Sequence, residues 1–178
     1  TDARPSADVG ADALADLPAC TPAAAHELLE RFLDEGLSSY ATDRDRADLR
    51  GTSELSMHLK YGTIHPRTIL ARVAASGVRG DGVERFVTEL AWREFYADVL
   101  WHRPDSAWWD LRPGLAKMSY DDPAQPAVAA AVEAWRAGRT GFPMVDAGMR
   151  QLLAEGWMHN RVRMITASFL VKDLHVRW

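Results

Sequence analysis

The stretch GWMHNRVRMITASFLVKDLHVRW, residues 156–178, holds more chemically committed side chains than any other part of the chain. If this stretch is helical, six of its side chains fall at helical spacing and form one continuous stripe along the helix: Asn160, Met164, Ala167, Val171, Leu174 and Trp178. At about 1.5 Å of rise per residue, the polar end of this stripe at Asn160 and its aromatic end at Trp178 would lie roughly 27 Å apart. The spacing therefore predicts a helix that connects a buried site to a distant Trp.

Two arginines, Arg161 and Arg163, lie near the start of this predicted helix. Cations are disfavoured there because the helix dipole is positive at its N-terminus, so both guanidinium groups are expected to have carboxylate or phosphate partners. Periodicity alone is more typical of an ordinary amphipathic core helix. A functional interpretation of this stretch therefore needs evidence from other motifs in the chain.

Length and composition indicate a soluble globular protein. The chain has 178 residues, of which 47% are hydrophobic, and this length suits one domain with a substantial core. Cys20 is the single cysteine, which excludes an internal disulfide framework and a thiolate zinc site and predicts a reducing, cytoplasmic location. No metal site is predicted, and no apolar run approaches membrane-spanning length.

The formal net charge of −4 argues at first against a nucleic-acid partner, because phosphate binding depends on Lys and Arg. The acidic excess, however, is concentrated in residues 1–20, which hold four Asp and one Arg. From Arg139 onward the chain has six basic and three acidic residues. A local basic surface is compatible with this distribution, although a solvated face explains such counts equally well.

Helix start and stop signals divide the chain into short helices without convincing β-alternation, which predicts an all-α, multi-helix fold. Residues 1–20 are rich in Ala and Asp and are predicted to be a linker or mobile tail, and residues 21–178 to be a helical domain. Helix starts are predicted at Thr21-Pro22, Pro66, Pro126 and Pro143, and helix ends near Gly62, Gly77, Gly138 and Gly156.

Two polar segments follow the first predicted helix. Residues 40–51, YATDRDRADLRG, are predicted to form a loop. The next residues, GTSELS, offer Thr52 or Ser53 as the N-cap of a helix that runs to Gly62. Capping explains these hydroxyls more often than ligand binding does, but a hydroxyl-rich helix start is also a natural anion site.

A long helix is predicted over residues 83–102, and it ends before Pro104. One side of it interleaves aromatic and charged groups: Arg85, Glu89, Trp92, Arg93, Tyr96, Leu100 and Arg103. Such a face is typical of a boundary between core and water. It also offers stacking surface and hydrogen bonds to an unpaired base. The following segment, residues 106–120, is predicted to be a packed loop with Trp108 and Trp109 as core anchors.

Four motifs, in this order, resemble the flavin domain of the DNA photolyase and cryptochrome family: GTSELS, ELAWREFY, TGFPMVDAGMRQL and GWMHNRVRMITASFLVKDL. The resemblance covers residues 40–178. It implies an all-α, FAD-binding domain and light-driven repair of cyclobutane pyrimidine dimers in DNA by an electron from reduced FAD. It also implies that the chain is the N-terminal part of this domain in a monomeric parent, and that a folate or deazaflavin antenna chromophore belongs to a preceding domain.

The resemblance carries site residues over by position. Catalytic roles fall on Glu89, Asn160 and Met164, and electron-transfer positions on Trp178 and, as the nearest aromatic to the usual outer Trp, on Tyr120. FAD-binding positions are Tyr40, Thr52, Ser53, Glu54, Leu55, Ser56, Phe86, Asn160 and Arg163. Positions that contact DNA or the lesion are Arg44, Glu89, Trp92, Arg93, Tyr96, Asn160, Arg161 and Met164.

Three classes of function follow, and dimer repair leads. The set Glu89, Trp92, Asn160 and Met164 matches dimer-repairing members, in which the Glu hydrogen-bonds the pyrimidine edge and the Trp packs on its ring. The (6-4) repair branch typically has His at the Asn160 position. A cryptochrome-like blue-light photoreceptor is second, and a cofactor-free helical interaction domain is third.

Overall fold

A computed structural model describes residues 18–177 of the chain. The described residues form helices, turns and loops without a strand, which confirms the all-α prediction. Within them, residues 20–119 and residues 120–177 form two compact units, called here the first and the second region. The predicted tail over residues 1–20 lies outside the described residues except for its last three, which are exposed.

The first region contains five α-helices and two short 3-10 helices. The α-helices are α1 (Pro22–Glu35), α2 (Tyr40–Asp43), α3 (Ser56–Tyr61), α4 (Pro66–Ala75) and α5 (Asp81–His102). The 3-10 helices follow at Pro104–Ala107 and Pro113–Lys117. The predicted start of α1 is confirmed, because the Thr21 hydroxyl accepts a hydrogen bond from the Ala24 amide at 3.2 Å.

The core of the first region is built around three buried aromatic rings, Phe32, Tyr40 and Phe86. Their centroids lie 4.7 to 5.6 Å apart in edge-on and tilted arrangements, which aromatic pairs favour. The start of α5 reaches this core at Gly82, where a Cβ atom would lie 2.1 Å from the Leu37 carbonyl oxygen. Only glycine permits that approach, so the sequence at Gly82 brings Phe86 beside Tyr40.

The second region contains three helices: α6 (Pro126–Arg136), α7 (Pro143–Glu155) and α8 (Asn160–Lys172). The helices α7 and α8 pack closely at Gly148, where a Cβ atom would lie 2.3 Å from a methyl group of Val162. The indole of Trp135 on α6 donates a hydrogen bond to the Thr166 carbonyl oxygen at 3.0 Å. These contacts form a smaller core with buried Val132, Val145, Met149, Met158, Val162, Phe169, Leu170 and Val176.

The predicted stripe of the C-terminal helix is wrong in two respects. The helix ends at Lys172, so Leu174 lies beyond it, and Trp178 lies outside the described residues. The side of α8 that is buried carries Val162, Thr166, Phe169 and Leu170, whereas Asn160, Met164 and Ala167 are exposed. The reason is that apolar residues occur on both sides of this helix, and the packing at Gly148 selects the Val162 side.

Three local predictions also differ from the structure. Neither Thr52 nor Ser53 caps α3, because this helix begins at Ser56 after Glu54, whose φ of 53° interrupts helical geometry. The predicted loop at residues 40–51 begins with the single turn of α2. Trp108 and Trp109 are not core anchors within the described residues, since they are 80% and 67% exposed.

No helix in the described part of the chain is long and apolar enough to cross a membrane.

Candidate functional site

A concavity of about 450 Å³ in the first region gathers most of the site residues that were predicted there. Buried rings and an aliphatic side chain from Tyr40, Phe86 and Leu90 form its apolar side. Hydroxyl and charged groups complete its lining: Ser53, Ser56, Lys60, Glu89 and Arg93, with Leu59 between them. The concavity therefore offers an apolar side built from two rings and a leucine, together with groups that bind phosphate or sugar oxygens.

Arg44 and Glu89 form an ion pair at this concavity. Nη1 of Arg44 donates a hydrogen bond to Oε1 of Glu89, and the two side chains are 12% and 33% exposed. The guanidinium carbon of Arg44 also lies 5.8 Å from the centre of the Tyr40 ring. A partly buried, charge-assisted pair of this kind holds both side chains in one orientation. Arg44, predicted as a DNA contact, thus lies against the predicted catalytic carboxylate.

The GTSELS segment lies between this concavity and a second one of about 800 Å³ in the same region. Ser53 lines both concavities, whereas Thr52 and Glu54 line the second. The Glu54 carboxylate accepts a hydrogen bond from Arg50 at 3.1 Å and lies 4.0 Å from Arg31. Leu55 is 1% exposed and belongs to the core. The structure therefore divides the predicted cofactor segment between two surfaces and the core.

An aromatic cluster covers the middle of α5. The rings of Trp92, Phe95 and Tyr96 lie 5.4 to 6.1 Å apart, and each ring is about half exposed or more. Such rings offer stacking area for a base. Arg93, between them in sequence, donates from Nη2 to the Leu59 carbonyl oxygen on α3 at 3.1 Å.

In the second region, Asn160 and Met164 lie one turn apart on the exposed side of α8. Arg161 Nη1 is 3.8 Å from the Met164 sulfur, and Arg163 donates to the Met158 carbonyl oxygen at 3.1 Å. Met164 also borders an apolar groove of about 1030 Å³ between α7 and α8, which includes Phe142, Met144, Ile165 and Phe169. The predicted lesion-side residues of this region therefore stand on an open surface.

A buried carboxylate that the sequence did not single out organises the turn before α7. Asp146 accepts hydrogen bonds from the Thr140 amide and hydroxyl, both at 2.7 Å, and from the Gly141 amide at 3.0 Å. The hydrogen bond from the Thr140 side chain, followed by the two amides, lowers the pKa of Asp146 below its usual value. The spacing of Thr140 and Asp146 around Pro143 was the available signal for this turn.

The structure thus brings most of the predicted residues of the first region together, and those of the second region form a group of their own on α8. Tyr40, Ser53, Ser56, Phe86, Glu89 and Arg93 line one concavity, with Arg44 bound to Glu89. Tyr120, a predicted electron-relay position, is half-buried in the second region. Leu59, Lys60 and Leu90 were missed, although Lys60 lies one helical turn after Ser56. Among the described residues no His, Cys, Asp and Glu cluster suits a metal ion.

Comparisons with known proteins find related sequences and related structures. A family model described as the FAD binding domain of DNA photolyase matches residues 86–178. A deoxyribodipyrimidine photo-lyase of Alkalihalophilus pseudofirmus is 42% identical over 150 residues, which are 84% of this chain and 30% of that protein.

Two solved structures are also similar. A class III photolyase from Agrobacterium tumefaciens superimposes with a TM-score of 0.81 and 37% identity, over 89% of this chain and 32% of that one. A cryptochrome of Synechocystis gives a TM-score of 0.69 and 26% identity, over 89% of this chain and 33% of that one. The chain spans about a third of the length of the relatives that it matches.

Proposed function

We propose, from the premise that this chain belongs to the DNA photolyase family, that it forms part of an enzyme that repairs cyclobutane pyrimidine dimers in DNA with light. The observation that carries this proposal is the concavity of the first region, where Tyr40, Phe86 and Glu89 meet. In the relatives this stretch belongs to a polypeptide about three times as long. Tests of activity therefore use a full-length photolyase polypeptide that contains this chain.

The residues of the concavity fit FAD as the cofactor. The apolar side formed by Tyr40, Phe86 and Leu90 suits contact with the apolar part of a flavin ring system. The hydroxyls of Ser53 and Ser56 with the Lys60 ammonium suit phosphate and ribityl oxygens. Reduced FAD, when bound, supplies the electron that opens the cyclobutane ring of the dimer. Thr52, Glu54, Leu55, Asn160 and Arg163 complete the proposed set of FAD-binding positions.

Glu89 is the proposed group that accepts hydrogen bonds from the pyrimidine edge of a dimer flipped out of the duplex. Arg44 holds the Glu89 carboxylate in one orientation, because the ion pair is partly buried. Trp92 and Tyr96 present exposed rings on the same helix, on which an extruded base can stack. Flipping costs only a few kcal/mol, and less at a damaged, poorly stacked site.

The second region supplies the remaining proposed roles. Asn160 and Met164 are assigned to the lesion side and Arg161 to the DNA backbone, in keeping with their position at the exposed start of α8. Tyr120 and Trp178 are assigned to the electron relay. Residues 21–178 act in this proposal as one FAD- and DNA-binding domain of a monomeric, cytoplasmic protein, whose antenna chromophore binds elsewhere.

A blue-light photoreceptor is the second candidate, because the chain is also similar to a cryptochrome structure. Such a protein would use the same FAD site and signal through a partner instead of binding a lesion. The exposed Trp92 and Tyr96 rings would then contact protein rather than a base.

Repair of a thymine-dimer oligonucleotide by the FAD-loaded, full-length polypeptide tests the choice. Repair under blue light and none in the dark is the expected result. FAD-loaded protein that leaves the dimer intact in the light would refute the repair function and favour the photoreceptor.

A further inference from the structure

Arg93 was predicted to contact DNA, but its guanidinium group is occupied inside the first region. Nη2 donates to the Leu59 carbonyl oxygen on α3 at 3.1 Å, and Nη1 donates to the neighbouring Glu94 carboxylate. Both terminal nitrogens therefore already have acceptors on the protein. Although the side chain is 42% exposed, Nη2 reaches the carbonyl oxygen of Leu59 on α3.

The end of α3 explains why Leu59 needs this partner. The last carbonyl groups of a helix lack amide donors within the helix. The Gly62 and Thr63 amides both donate to the His58 carbonyl oxygen, because Gly62 adopts a left-handed conformation with a φ of 72°. This leaves the next carbonyl oxygen, that of Leu59, available to a donor from outside the helix. Arg93 on α5 supplies that donor.

The bond joins two elements that line the FAD-site concavity proposed above. Helix α3 contributes Ser56, Leu59 and Lys60 to the lining, and α5 contributes Phe86, Glu89 and Leu90. With only six residues, α3 has little helical stability of its own, so tertiary contacts must hold it. The position of α3 relative to α5 sets the distance from Ser56 and Lys60 to the apolar side of the concavity at Phe86.

We infer that Arg93 is a positioning residue that clamps the end of α3 to α5 and so fixes the shape of the concavity, rather than a phosphate contact. A guanidinium can span two acceptors with its rigid fork, whereas an ammonium is a single point charge. Lys at this position should therefore fail to replace Arg, although it keeps the positive charge.

Hydrogen exchange of this chain tests the clamp without FAD or DNA. The variants are Arg93→Gln and Arg93→Lys, with Arg85→Gln as a control on an exposed site of the same helix. Both Arg93 variants are expected to raise exchange over residues 56–63 about tenfold, because a hydrogen bond from a charged group is lost. Exchange over residues 126–136 and exchange of the Arg85 variant should match the unsubstituted chain. Unchanged exchange in Arg93→Gln, or full protection in Arg93→Lys, would overturn the clamp.

A second measurement separates the clamp from a DNA contact, and this arm rests on the proposed function. Binding of the full-length polypeptide to dimer-containing DNA is measured over a range of salt concentrations. We expect the slope of log K against log salt to be the same with Arg93→Gln as without it. A slope smaller by about 0.9 would show that Arg93 neutralises a phosphate and would refute the inference. Failure of the unsubstituted protein to bind DNA would count against the proposed function and leave the exchange result standing.

Discussion

Glu89 in the first region and Asn160 in the second were predicted for the same lesion, yet their surroundings differ. Glu89 is held by Arg44 at the edge of a concavity above a core of packed rings. Asn160 and Met164 stand on the exposed side of α8, beside an open apolar groove. The first region therefore orients its chemical groups through contacts within its own fold. The second region has a smaller core and displays its groups on a surface.

Among these predictions, removal of an aromatic ring should give the largest difference between the two regions in the free energy of unfolding that is lost. Phe86→Ala deletes a ring that is 3% exposed and touches both Phe32 and Tyr40, so we expect a loss of about 3–5 kcal/mol of unfolding free energy. The matched change Phe142→Ala removes a ring of the second region that is 58% exposed, and should cost about 1 kcal/mol or less. Urea unfolding followed by circular dichroism measures both values. Equal losses would remove the contrast between the two cores.

Mild acid should weaken the first region through His58. This ring is fully buried and its Nδ1 lies 2.8 Å from the Thr63 hydroxyl, and burial lowers its pKa from the usual 6.5. The unfolded chain therefore binds a proton more readily, and stability falls as the pH decreases below 6.5, by at most about 1.4 kcal/mol per unit. His58→Leu should flatten this dependence between pH 7.5 and 5.5 in urea titrations. The same slope in the variant would assign the effect to another group.

Stronger acid should lower the stability of the second region through Asp146, and we expect this loss to be smaller than the loss through His58. Because its folded pKa is below the usual 3.8, Asp146 contributes stability above that pH and loses it as the pH falls through the folded pKa. At neutral pH, Asp146→Asn places an amide group opposite the Thr140 and Gly141 donors, so exchange over residues 138–142 should rise about fivefold. Glu133→Gln, an exposed change on α6, is the control. Unaltered exchange in the Asp146→Asn variant would show that the turn forms without the carboxylate.

Much of the fold could be predicted because its signals are local. Thr21 with Pro22, Pro126 and Pro143 mark helix starts, and Pro104 marks the end of α5. The start of α5 lies at Asp81, two residues before the predicted Val83. The buried side of α8 could not be predicted, because apolar residues lie on both of its sides and only the approach at Gly148 decides between them. Trp108 and Trp109 were misjudged for a similar reason, since large apolar side chains alone do not show what covers them.

The site was predicted in part. The family resemblance named Tyr40, Phe86 and Glu89, which the structure gathers around one concavity. The pairing of Arg44 with Glu89 and of Arg93 with Leu59 joins residues 45 and 34 positions apart, and no local pattern reports such distances. Both arginines were predicted as DNA or lesion contacts, and these pairings are the basis for assigning them instead to the orientation of the site.

The repair yield of Glu89→Gln tests the central claim most directly. In the FAD-loaded, full-length polypeptide under blue light, we expect this change to lower repair of a thymine dimer about tenfold, because the charged acceptor held by Arg44 is lost. Glu84→Gln, at an exposed site on the same helix, should repair within about twofold of the unsubstituted protein. Repair by Glu89→Gln at the unsubstituted rate would contradict the account.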